Sequence, residues 1–306
     1  MNIPHSSTTV LAILLCIAPA ASADDAVEPF PDVPGANVIV FKHVDDVVLR
    51  LHVFQPDDWA AGDRRPAIVF YFGGGWRNGN SNQFAHQSEY LASHGMVACC
   101  AEYRVHNKHD STVTQSIADA KSAMRYVRSH AAELGIDPDR IAAGGGSAGG
   151  HLAAAVATLP GFDDPEDDRN VSCVPNALAL FNPAVDISAE GLGRNPESER
   201  HQELLTRTGA DVGELSPKNY VTGGLPPTII FHGIADGTVP YAQVEVFQQR
   251  MQAAGNRCEL VGYADKEHGF FNFGRDDNDA YRDTLRRLHL FLRDLEWIEG
   301  EPIIQN

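Results

Sequence analysis

The sequence predicts an α/β protein, a single mostly parallel sheet of about eight strands with helices on both faces and a cap-like insertion. Three observations lead there. Short apolar runs alternate along the chain with segments of helical periodicity. Several runs, such as 67–72 and 96–101, are apolar at nearly every position, as strands covered on both faces are. Neither an internal repeat nor an interdomain linker interrupts the series.

Composition narrows the classes. A chain of 306 residues with 43% hydrophobic content supports one large domain with a full core. A formal charge of −17 disfavours nucleic acid and anionic membrane surfaces as partners. Residues 10–21 are almost wholly apolar, and Ala21-Ser22-Ala23 forms a small-residue cleavage pattern before Asp24. This reads as a signal peptide over 1–23, which places the mature protein outside the cytoplasm, secreted or periplasmic. The run is too short for a membrane span, and Leu15 is too bulky for a lipid attachment site at Cys16. Cys99, Cys100, Cys173 and Cys258 remain. Cys99 and Cys100 are adjacent in an apolar run, would face opposite sides of a strand, and read as buried free thiols.

Residues 24–37 carry Pro29, Pro31 and Pro34 and read as an extended entry segment; the domain proper runs over 38–298, with a tail at 299–306. Strands are expected at 38–41 and 47–54, joined as a hairpin around Asp45-Asp46. In the second, Leu49, Leu51 and Val53 alternate with Arg50 and His52, which predicts one wet face. Further strands are expected at 67–72, 96–101, 141–143, 177–181, 228–232 and 259–263. Helices are expected at 84–94, 112–134, 148–158, 241–253 and 278–295. In the second helix Ile117, Ala120, Met124, Val127, Ala131 and Leu134 recur at steps of three and four, with Gly135 as the cap. The acidic loop 161–170 lacks an EF-hand order of ligands and reads as solvated; it ends on a glycosylation sequon, Asn170-Val171-Ser172. Residues 186–224 break the alternation, with a short helix expected at 199–206, and are expected to cover the site.

The chemistry-bearing residues follow predicted strands, at the sheet edge where ligands bind in such folds. Gly145-Gly146-Ser147-Ala148-Gly149 joins a strand to a helix. Small neighbours permit so sharp a turn, which pushes the Ser147 hydroxyl out beside a helix N-terminus. Asp236 and His268 follow two later strands. A serine hydroxyl needs a neutral imidazole to take its proton and a carboxylate to orient that imidazole. Ser147 is therefore the candidate nucleophile, His268 the general base and Asp236 its partner. The oxyanion would be met by the Ala148 N–H and by the Gly73-Gly74-Gly75 loop, where glycine lets the backbone approach the substrate. His151 and His232 read as structural, and so do Tyr103 and Arg104. Trp76, Phe270 and Phe271 fit either a substrate pocket or plain core.

These motifs, with Phe72-Gly-Gly-Gly-Trp76, Glu102-Tyr103-Arg104, Asp119-Ala120-Lys121, the Asp137–Arg140 entry and Glu267-His268-Gly269, resemble the α/β-hydrolases of the hormone-sensitive-lipase-like and bacterial feruloyl/acetyl-esterase-like group. The likeness runs from Tyr71 to Phe273. It implies Gly74, Gly75 and Ala148 as oxyanion donors and a serine carboxylester hydrolase for short, acetyl-type esters, on a small molecule or an acylated carbohydrate. The group usually has histidine where this chain has Phe72, which puts the loop geometry in question. No cofactor or metal is implied. A serine exopeptidase of the same fold and a catalytically silent binding protein stay open, as does the oligomeric state.

Overall fold

The computed structural model describes residues 28–304. The signal peptide expected at 1–23 and Cys16 lie outside the described residues. The strands are β1 (Asn37–Val44), β2 (Val47–Phe54), β3 (Arg65–Tyr71), β4 (Val97–Ala101), β5 (Ile136–Gly146), β6 (Ala177–Phe181), β7 (Thr228–Gly233) and β8 (Cys258–Tyr263). They form one sheet in the order β1-β2-β4-β3-β5-β6-β7-β8. β1 and β2 pair antiparallel, β2 runs antiparallel to β4, and the remaining pairings are parallel. The helices are α1 (Ala85–Ser93), α2 (His106–His109), α3 (Val113–Ser129), α4 (Ala148–Thr158), α5 (Glu199–Leu205), α6 (Tyr241–Ala253) and α7 (Asp279–Asp294).

Strand alternation divides the core into two. Val69, Tyr71, Cys99, Ala143 and Leu180 face α3, α4 and α6, while Ile68, Phe70, Cys100, Ala142 and Phe181 face α1 and α7. Cys99 and Cys100 thus point to opposite faces, and all four described cysteines are buried free thiols. Burial pushes the Cys100 thiol up to about 12, so it is inert as a nucleophile. Among the described residues no helix is long and apolar enough to cross a membrane.

Three expectations are corrected. The periodic helix ends at Ser129 rather than 134, because β5 begins at Ile136 and the chain must reverse before it. Ala131 and Leu134 still reach the core, from turns closed by Leu134 N–H to His130 O (2.9 Å) and Ile136 N–H to Ala131 O (2.7 Å). The wet face expected for β2 is confined to its start, where Val48 is exposed. His52 is fully buried with Nε2 3.0 Å from Glu102 Oε1, and Arg50 donates to the same carboxylate from Nε (3.0 Å) and Nη2 (2.7 Å). A polar residue in an alternating strand signals a change of face, and here an ion pair occupies that face instead of water. The acidic loop is solvated only in part: Glu166 and Asp168 are exposed, but Asp163 and Asp167 bind Arg125 at 2.5 and 2.8 Å, and Asp164 binds Lys42 at 2.6 Å.

Candidate active site

β5 runs into α4 through Ser147, whose φ of 55° and ψ of −116° lie where side chains are strained. Its N–H donates to Phe181 O at 2.9 Å, tying the turn to the neighbouring strand. Glycine is required at both positions before it. A Cβ on Gly145 would strike the Gly149 carbonyl, and one on Gly146 would lie 2.5 Å from the Phe271 ring.

The three candidate side chains converge. His268 Nε2 lies 2.9 Å from Ser147 Oγ, and His268 Nδ1 lies 2.7 Å from Asp236 Oδ2. Asp236 Oδ1 accepts from the N–H groups of Thr238 (2.8 Å) and Val239 (2.9 Å). Burial works to raise the pKa of Asp236, but hydrogen bonds from His232 and His268 outweigh it and hold the carboxyl well below the usual carboxylate range. Asp236 is therefore ionised wherever the protein is folded near neutrality. The turn carrying His268 is fixed by Gly269 N–H, which donates to Asn182 Oδ1 at 2.9 Å.

The glycine loop after β3 packs directly beside the serine: a Cβ on Gly73 would sit 3.4 Å from Ser147 Cβ. Gly73 N–H is used by Gln83 Oε1 (2.6 Å), and Gln83 Nε2 bonds Asn272 Oδ1 (3.0 Å), which ties this loop to the His268 loop. Gly74 and Gly75 take φ of +130° and +64°, conformations that favour glycine. Among the described residues, the N–H groups of Gly74, Gly75 and Ala148 donate to no protein acceptor. The group's usual histidine is replaced by Phe72 stacked on Tyr103 (centroids 4.1 Å apart), while Tyr103 Oη donates to Phe72 O at 2.7 Å. Packing plus one backbone hydrogen bond orders the loop without an imidazole.

A cavity of about 530 Å³ opens over Ser147. Trp76 and Phe271 line it; Phe270 does not, being core packed on Tyr263 with centroids 4.7 Å apart. The insertion 186–224 contributes Leu192, Arg194, Glu203, Leu204 and Arg207 to its wall. His151 is turned away: Nε2 lies 2.7 Å from Leu215 O, the ring packs edge-on to Trp76, and burial lowers its pKa to about 4. Sequence reasoning passed over Gln83, Asn182, the wall arginines and the contact of His232 with Asp236. The His232–Asp236 spacing of four was visible, but nothing local shows that a strand end and the following turn bring them together. Among the described residues no group of three or more His, Cys, Asp or Glu side chains is arranged to hold a metal.

The sheet order, the strained serine turn and the Ser-His-Asp line together define an α/β-hydrolase. The BD-FAE family model matches residues 51–251, and the chain belongs to that family. The dienelactone hydrolase family model matches residues 214–295. The apo form of Thermogutta terrifontis esterase 2 superposes with a TM-score of 0.83 at 50% identity, covering 89% of this chain and 98% of that one. The same esterase phosphonylated by sarin gives 0.85 at 49% identity, covering 89% and 99%. Carboxylesterase NlhH of Mycobacterium tuberculosis is 29% identical over 69% of this chain and 68% of its own length. Isoprenylcysteine alpha-carbonyl methylesterase ICME of Arabidopsis thaliana is 29% identical over 72% of this chain and 53% of its own. The chain spans about half the length of several of the curated relatives it matches.

Proposed function

We propose that the protein is a serine carboxylester hydrolase acting through an acyl-enzyme on Ser147. The observation that carries this reading is the unbroken line Asp236–His268–Ser147, with hydrogen bonds of 2.7 and 2.9 Å. Ser147 Oγ attacks the acyl carbon as His268 Nε2 takes its proton, and the imidazolium returns that proton to the departing alkoxide. Asp236 holds the imidazole with Nδ1 protonated and Nε2 free to accept. Water then attacks the acyl-enzyme by the same route, and Ser147 is released with the acid. The tetrahedral oxyanion is met by the N–H groups of Gly74, Gly75 and Ala148, each of which contributes on the order of 3 kcal/mol of transition-state stabilisation.

A short acyl group fits the cavity of about 530 Å³. The solved esterase relative has been captured with propionate and with butyrate bound, which supports the same range for this chain. A fluorophosphonate probe tests the mechanism. The wild type should be labelled and should hydrolyse 4-nitrophenyl acetate, and Ser147→Ala should lose both, with kcat down by roughly 10³ or more. Failure to label the wild type, or equal labelling of the variant, removes the reading. We also propose export, on the apolar stretch and cleavage pattern at 10–23 alone. Amino-terminal sequencing of the mature protein should begin at Asp24, and a retained Met1 would refute export by this route.

A further inference from the structure

The wall of the cavity over Ser147 carries five arginines, Arg77, Arg194, Arg200, Arg207 and Arg275, against one carboxylate, Glu203. This is a concentrated positive field in a chain whose overall charge is −17. Arg207 is the most buried of the five, 8% exposed. Among the described residues it has no carboxylate partner. Its Nη1 donates to Gly75 O at 2.8 Å, and its buried Nε has no acceptor. Burial, and next the charge of Arg77, lower its pKa to about 10, so it is still a cation at neutral pH. Arg77 pairs with Glu203 at 2.9 Å through Nη1, while its own Nε is buried without an acceptor. Arg275 touches the His268 loop, with Nη1 3.1 Å from His268 O.

A structural role accounts for only part of this arrangement. Two contacts, Arg207 to Gly75 O and Arg77 to Glu203, fasten the insertion 186–224 to the glycine loop. They use one terminal nitrogen of each guanidinium and leave the buried Nε of each without an acceptor, in two side chains that line the cavity. A buried cation with spare donors is costly unless something anionic completes it, and guanidinium forks match carboxylate geometry. Resting on the esterase reading of Ser147, we infer that the physiological ester carries a negative charge, a carboxylate or similar oxyanion on one half of the molecule, and that Arg207 and its neighbours hold that group during acyl transfer.

Matched substrates separate this inference from the reading beneath it. For a charge on the alcohol half, kcat/KM for 4-acetoxybenzoate is compared with that for its neutral methyl ester. For a charge on the acyl half, the mono-4-nitrophenyl ester of adipic acid is compared with 4-nitrophenyl hexanoate. The anionic member should be favoured by about tenfold or more in one arm, the preference residing largely in KM and shrinking as salt is raised. The ratio of anionic to neutral kcat/KM should collapse in Arg207→Gln, and fall in Arg194→Gln, a partly exposed position whose loss threatens the fold less. Equal or better use of the neutral ester in both arms by the wild type, or a ratio unmoved by both substitutions, overturns the inference and leaves the esterase reading standing. Hydrolysis of none of the four esters brings down both.

Discussion

His232 Nε2 lies 3.3 Å from Asp236 Oδ2, the same oxygen that receives His268 Nδ1 at 2.7 Å. His232 Nε2 is also 2.9 Å from Val239 O, and since a carbonyl can only accept, that nitrogen carries the proton and donates. His232 thus stands behind Asp236 at the far end of the Ser147–His268 line, its proton directed at Val239 O with the carboxylate as a second, longer neighbour. Replacing it with phenylalanine keeps the ring packed against Tyr241 but removes the donor. Hydrogen bonds to charged groups contribute about 1.5–3 kcal/mol. His232→Phe should lower kcat on 4-nitrophenyl acetate by about tenfold or more with KM little changed, while His232→Gln, which can still donate, should retain more activity. A kcat equal to wild type in the phenylalanine variant would show that the second imidazole does nothing for the reaction.

The glycines around the serine turn are not equivalent. Gly149 stands in the first turn of α4, and a Cβ there would run into the carbonyl oxygens of Tyr71 and Phe72. Gly149→Ala forces α4 off β3 and should cost more than about 4 kcal/mol, seen as loss of soluble protein. Gly75 faces open space but sits at φ +64°. Gly75→Ala should fold with a penalty of about 1–2 kcal/mol in urea denaturation. Comparable soluble yields from the two variants would contradict this account.

Phe72 is buried between Tyr103 and Phe30, with ring centroids at 4.1 and 5.7 Å. Phe72→Ala should destabilise by about 3–5 kcal/mol, the cost of a large aromatic cavity. Because the next residues form the glycine loop, activity should be lost at lower urea than tertiary fluorescence in this variant, whereas in the wild type the two losses should coincide.

His151 gives the fold a pH dependence whose sign is fixed. Its pKa falls from 6.5 to about 4 on folding because the ring is buried. The unfolded chain therefore binds more protons between those values, and stability drops as pH is lowered through that window. The contribution is about 3 kcal/mol at full development. Urea midpoints should decline from pH 7 toward pH 4, and in His151→Gln, though lower at neutrality, the decline should be shallower. An unchanged slope in the variant would assign the acid sensitivity to other groups.

Much of this molecule is local and was therefore legible in the residues. Apolar runs marked β3, β4, β6 and β7 to within a residue or two, because a strand covered on both faces excludes polar side chains. α4 and α6 were bounded as observed, by the serine turn before α4 and by Pro240 before α6. The end of α3 was misplaced because its apolar spacing continues through 131 and 134 into turns that still face the core.

What the sequence by itself determined is the order of strands and helices and the three side chains set just beyond strand ends, because periodicity and turn chemistry act over a few residues. Tertiary structure alone decided the rest. Arg207 reaches Gly75 across 132 positions, Gln83 reaches Asn272 across 189, and Lys42 draws down the acidic loop. A charged or amide side chain looks the same in a sequence whether it ends in water or in a cavity wall, and only the packing of distant segments removes the water and assigns the partner.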